Sequence, residues 1–242
     1  MATRIFHPQT LSANSTTQLT DSAAGHVSRV LRMNTGDTLH LFDGNGGYFE
    51  AIIAEISKKS VSVNVGDFIA NCTESPLRVH IGQGISRGEK MDFTIQKATE
   101  LGVCEITPLI TERCGVKLQE DRWQKKLDHW QQVAISACEQ CGRNIVPQIH
   151  PPISLQNWLT QATNELKLNL HPSAKHGING LAAPQNGVRL LIGSEGGLSD
   201  NEIQQAAQNG FESILLGKRV LRTETAALTA LAALQTRFGD LG

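Results

Sequence analysis

The chain has 242 residues, of which 40% are hydrophobic and 19% charged, and a formal net charge of -1. That balance fits a globular protein of one large or two small domains and excludes a chain held on nucleic acid by bulk charge alone. Its apolar runs are far shorter than a membrane span, Met1–Phe6 carries no signal-peptide core, and five irregularly spaced cysteines argue for reduced thiols in a cytoplasmic setting.

Residues 1–72 read as a small β-rich domain. Apolar alternation predicts strands at Arg4–Phe6, Thr38–Phe42, Tyr48–Ile56 and Ser60–Phe68. Asp43-Gly44-Asn45-Gly46-Gly47 is a hairpin turn signal between two of them. A helix over Ser22–Leu31 carries His26, Arg29 and Arg32. Short strands around one helix predict a small barrel. The polar stretch Asn71–Pro76 marks the linker, and residues 73–242 form the second domain.

Beyond the linker, strands alternate with helices. Strands are expected at Leu77–Ile81, Glu105–Ile110, Ile145–Ile149, Leu166–Leu170, Leu190–Ile192 and Ile214–Leu216. Helices are expected at Glu89–Leu101, Arg122–Gln140, Leu155–Thr163, Asp200–Asn209 and Glu224–Phe238. This alternation predicts a mainly parallel sheet covered on both faces. Asn179–Gly187 is a loose connection. The last helix is small and apolar nearly all round, so it packs into its own domain and against a partner chain.

Two strands end on glycine loops. Leu190-Leu191-Ile192 runs into Gly193-Ser194-Glu195-Gly196-Gly197, and Ser199 with Glu202 then has capping-box spacing. Ile214-Leu215-Leu216 runs into Gly217-Lys218-Arg219-Val220-Leu221-Arg222-Thr223, with Thr223 expected to cap the last helix. Such loops build one backbone-lined pocket beyond the carboxyl ends of the strands. Nucleotide fingerprints fail: Arg219 stands where a P-loop needs Ser or Thr, and Gly82-Gln83-Gly84 lacks a third glycine. Cys138 and Cys141 have no second such pair, and His129 and His150 are not at familiar ligand spacing, so no metal is expected.

The two loops, Gly193-Ser194-Glu195-Gly196-Gly197 and Leu216-Gly217-Lys218-Arg219-Val220-Leu221-Arg222-Thr223-Glu224-Thr225-Ala226, resemble the signature loops of the knotted SPOUT methyltransferases. More narrowly they resemble the bacterial 16S ribosomal RNA uridine-N3-methyltransferases; Ser194 stands where that family commonly has Pro. The resemblance implies a PUA-like RNA-binding barrel followed by an α/β domain with a C-terminal trefoil knot. It also implies a homodimer that uses S-adenosylmethionine to methylate N3 of a decoding-region uridine in 16S rRNA, within the small subunit. A sibling enzyme acting on another rRNA or tRNA nucleotide, or an inactive RNA-binding module, is the competing reading.

On this resemblance the cofactor would lie against Leu170, His171, Gly193, Glu195, Gly196, Gly197, Leu216, Gly217, Leu221 and Thr225. Arg222 and Glu224 become the candidate catalytic pair, because a cation just before a helix N-terminus gains nothing from the dipole. Arg29, Arg32, Arg87, Lys97, Glu100, Arg113 and Arg143 become candidate RNA contacts, although Lys97 and Glu100 also suit a solvated helix face.

Overall fold

The computed structural model describes residues 2–58, 60–115 and 120–242. The chain forms two compact units: residues 1–74 with 138–146, and residues 75–137 with 147–242. The linker expected at Asn71–Pro76 spans the first changeover. Contiguous domains 1–72 and 73–242 miss one exchange, because Cys138–Val146 belongs to the first unit.

The first unit is a five-stranded sheet built from β1 (Arg4–Phe6), β2 (Ser15–Gln18), β3 (Thr38–Phe42), β4 (Gly47–Ile56) and β5 (Val61–Ala70), in the order β1-β3-β4-β5-β2. β1 runs parallel to β3 and the other pairs are antiparallel. Alternation places Leu39, Leu41, Ile53, Val61 and Val63 in one core with Ile5 and Val27. β2 was not expected: Ser15-Thr16-Thr17-Gln18 has no apolar member to reveal it. Among the described residues no ladder joins β1 to β2, so the barrel is not closed by backbone pairing. The buried His7 ring bridges that gap, with Nδ1 3.0 Å from the Gln9 carbonyl and Nε2 3.3 Å from the Gln18 carbonyl. The expected Ser22–Leu31 helix is α1 (Asp21–Gly25), capped by Thr20, continuing as a π-helical turn over His26–Val30.

In this unit the Arg143 guanidinium is buried and ion-paired with Glu74, and Arg4 donates to the Arg143 carbonyl and the Asn144 amide oxygen. Arg143, expected as an RNA contact, thus ties the returning segment to its own unit. A guanidinium committed to a buried carboxylate would leave an uncompensated charge if it turned outward. Cys138 is buried and its thiol is pushed up to about 12 by that burial, so it lacks the thiolate character of a redox pair.

The second unit holds β6 (Val79–Gly84), α2 (Lys90–Glu100), β7 (Glu105–Ile110), most of α3 (Glu120–Cys141), β8 (Gln148–Ile149), β9 (Ile153–Ser154), α4 (Leu155–Leu159) and β10 (Leu166–Leu170). It continues with β11 (His176–Gly177), β12 (Val188–Ile192), α5 (Asp200–Gln208), β13 (Glu212–Leu215) and α6 (Thr223–Phe238). The sheet is parallel in the order β11-β13-β10-β12-β6-β7-β8, with β9 also on β7. The strand expected over Ile145–Ile149 shrinks to Gln148–Ile149, and the helix from Leu155 stops at Leu159. β12 is buried along its whole length, as a central parallel strand requires. The loose stretch opens on a single 3-10 turn, Ile178–Gly180. No helix of the described residues is long and apolar enough to cross a membrane.

α6 buries Ala227, Ala230, Leu231 and Leu234 at helical spacing and packs on α2, β6 and β12. β13 lies on the far side of β10 from β12, so the chain must return across the end of β10 to set α6 down. Gln235 anchors the helix end, accepting from the Ser75 hydroxyl and donating to the Gly102 carbonyl at 3.3 Å.

Candidate active site

The carboxyl ends of β10, β12 and β13 converge on a cavity of about 470 Å³. Leu170-His171-Pro172, Ile192–Leu198 and Ile214–Gly217 with Arg219–Glu224 form its walls. Every sequence-expected cofactor residue lines it except Thr225, which stands exposed on α6. One residue of helix turns a side chain by about 100°, enough to rotate Thr225 away from its neighbour Glu224.

The first glycine loop is a tight turn. Gly197 N–H donates to the Ser194 carbonyl at 2.9 Å, and Gly197 has φ +68°, a conformation other residues resist. The end of β6 touches the same loop: a Cβ on Gly84 would stand 2.3 Å from the Ser194 nitrogen. Arg113 straps it from outside, donating to the Gly196 and Leu198 carbonyls, both at 3.2 Å. Ser199 and Glu202 make the expected capping box, and the second oxygen of Glu202 accepts the Glu112 N–H at 2.8 Å.

Thr223 joins the two loops. It is not the N-cap, a position Arg222 holds without a side-chain bond; Thr223 is the first helical residue. Its hydroxyl donates to the Gly193 carbonyl at 2.6 Å and accepts from Gln83 Nε2 at 2.8 Å. The sequence hides this because its partners lie 30 and 140 residues away.

The charges around the cavity are mixed. Lys90, which is not among the sequence-expected site residues, sits on the lining 3.4 Å from Glu195. Burial pushes the Glu195 carboxyl up, but the Arg87 backbone N–H at 2.9 Å and the Lys90 ammonium outweigh it and hold Glu195 below the usual range. Arg222 is exposed at the rim. Glu224 also lines the cavity, and its Oε2 is buried with no hydrogen-bond partner among the described residues. A buried acceptor left open costs free energy unless a ligand completes it.

The remaining RNA candidates lie elsewhere. Lys97 and Glu100 pair with each other at 2.7 Å on α2, off the cavity lining. Arg87 contributes its backbone to Glu195. Arg29 and Arg32 are exposed in the first unit; Arg32 has φ +54°, and Arg29 folds back over Gly25.

The cavity suits a cofactor of S-adenosylmethionine's size and chemistry. Its volume falls in the range of small-molecule sites. Two glycine loops present main-chain groups, and the unpartnered Glu224 oxygen offers an anionic acceptor at the wall.

Residues 73–235 match the RNA methyltransferase domain family, and residues 19–66 match the RNA methyltransferase PUA domain family. Ribosomal RNA small subunit methyltransferase E from Buchnera aphidicola is 43% identical over 239 residues, covering 98% of this chain and 97% of that protein. The protein of the same name from Bacillus subtilis is 33% identical over 228 residues, covering 90% and 89%. Two solved structures superpose over 100% of both chains. One, from Legionella pneumophila, is described as a methyltransferase with bound cofactor SAM, at 44% identity and a TM-score of 0.96. The other is a ribosomal RNA small subunit methyltransferase E from Neisseria gonorrhoeae bound to S-adenosyl methionine, at 38% identity and a TM-score of 0.94.

Proposed function

Because the chain belongs to the RNA methyltransferase family, with its PUA domain, we propose that it methylates N3 of a decoding-region uridine in 16S rRNA, using S-adenosylmethionine. The carrying observation is the single cavity into which both glycine loops fold, bolted together by Thr223. Relatives solved with S-adenosylmethionine over the same full-length fold support the cofactor assignment.

Gly193, Glu195, Gly196, Gly197, Leu216, Gly217 and Leu221 would hold the cofactor with Leu170 and His171, and its sulfonium supplies an activated methyl group. The chain's own task is position and electrostatics. The uracil N3–H must give up its proton, to solvent at the rim, before N3 can accept the methyl, and S-adenosylhomocysteine would be the leaving group. Arg222 at the rim, with the Lys90 and Arg113 side chains along the wall, favours the resulting anion. The open Glu224 oxygen accepts a hydrogen bond from a ligand in the cavity. Arg29 and Arg32 are proposed to meet rRNA from the first unit.

The path from β13 across β10 to α6 supports a trefoil knot at the C-terminus. Half-buried Leu228, Ala232 and Ala233 on α6 support a homodimer. The near-zero charge favours an assembled small subunit over naked RNA as substrate, in the cytoplasm.

The test is tritium transfer from labelled cofactor to small subunits lacking the modification, followed by nucleoside analysis. Label in 3-methyluridine is the expected result. Label in another nucleoside would transfer the assignment to a sibling activity, and no label with no binding of S-adenosylhomocysteine would make the protein an inactive module.

A further inference from the structure

At the amino ends of β6 and β7, away from the cofactor cavity, three metal-competent side chains meet. His80 is the second residue of β6, Glu105 opens β7, and His150 follows β8 directly. The register sets His80 opposite Glu105, and the His150 N–H pairs with the Ile106 carbonyl at 2.9 Å. One ligand atom from each lies within 4.8 Å of the other two. His80 is 6% exposed and the Glu105 and His150 side chains are each 27% exposed, so the group is sheltered yet reachable.

We infer that His80, Glu105 and His150 form a binding site for one divalent transition cation, with zinc the best match, that pins the β6–β7–β8 side of the sheet. Two imidazoles and one carboxylate are a zinc-type donor set that leaves a fourth position for water. The spacing agrees. Ligand atoms about 2.1 Å from a tetrahedral zinc stand roughly 3.4 Å apart. Here His150 Nε2 lies 2.8 Å and His80 Nδ1 3.9 Å from Glu105 Oε2, which brackets that separation.

The outer partners are also present. Thr107 Oγ1 holds His80 Nε2 at 2.8 Å, leaving Nδ1 turned toward Glu105. Arg78 takes the other Glu105 oxygen at 3.2 Å. Outer hydrogen bonds of this kind orient ligating side chains. Trp158 packs edge-on against His80, with ring centroids 5.6 Å apart. The nearby Arg189 charge is spread over the Trp158 face and opposed by Glu165 at 3.8 Å.

Cobalt(II) is the probe that separates this site from the five thiols. Chelator-treated protein is titrated with cobalt and followed by visible absorption, then with zinc and followed by thermal melting. One equivalent of cobalt should give d–d bands without thiolate charge transfer, and zinc should raise the melting temperature. His150→Gln and Glu105→Gln, each confirmed folded by circular dichroism, should weaken binding at least tenfold and abolish the zinc shift. S-adenosylhomocysteine binding should be unchanged in both. Absence of the cobalt bands, a thiolate band, or unchanged affinity in His150→Gln would overturn the assignment.

Discussion

Replacing Thr223 with valine nearly keeps the side-chain volume and puts a methyl group in place of the hydroxyl. Two hydrogen bonds go with it, the 2.6 Å bond to the Gly193 carbonyl and the 2.8 Å bond from Gln83. Gln83 is fully buried and its Oε1 already lacks a partner among the described residues, so Nε2 must rely on longer bonds to the Gly84 and Gly193 carbonyls, at 3.0 and 3.4 Å. At about 1 kcal/mol per net hydrogen bond, the loss is about 2 kcal/mol. For a chain of this size that lowers the melting temperature by roughly 4–8 °C. Because Gly193 lines the cavity, affinity for S-adenosylhomocysteine should also fall severalfold, read by titration calorimetry. Thr223→Ser keeps the hydroxyl and should recover most of both losses. A valine variant that melts within a degree of wild type, or a serine variant that falls as far as valine, would refute the role of Thr223 as the bolt.

Three further outcomes are expected. Gly84→Ala drives a Cβ against the Ser194 backbone, so the loop must shift; a cost of about 1–3 kcal/mol and at least tenfold weaker S-adenosylhomocysteine binding should follow, seen by urea unfolding and calorimetry. Arg222→Ala should retain cofactor binding while methylation of small subunits drops at least tenfold; normal methylation would remove Arg222 from the catalytic pair. In chelator-treated protein, acid should destabilise the fold through His80, which burial lowers from 6.5 to about 4. The unfolded chain binds this proton first, so stability is full above pH 6.5 and is lost as pH falls toward 4, by about 3 kcal/mol at most. Urea midpoints across that window should show the slope, and His80→Gln should flatten it.

Local patterns were readable wherever the stabilising partner lies within a few residues. The Ser199–Glu202 capping box closes over three residues, and it forms as its spacing implies. The short apolar run Leu190–Ile192, ending on glycine, marks a buried strand, and Gly197 and Gly217 with positive φ mark where the backbone turns tightly beyond β12 and β13. Seven of the eight cofactor positions named from the two loops meet in one cavity for that reason, helped by a resemblance that spans both loops.

Tertiary structure decided what depends on partners far along the chain. Thr223 looked like a cap and became a bolt because Gly193 and Gln83 arrive from other strands. Arg143 was expected as an RNA contact, and its guanidinium is buried against Glu74, since Cys138–Val146 returns to the first unit. His80, Glu105 and His150 share no spacing that could announce a cluster; only parallel register across three strands brings them together. Periodicity follows from the geometry of one element, whereas these contacts follow from which elements become neighbours, and that is fixed by burial and strand order over the whole unit.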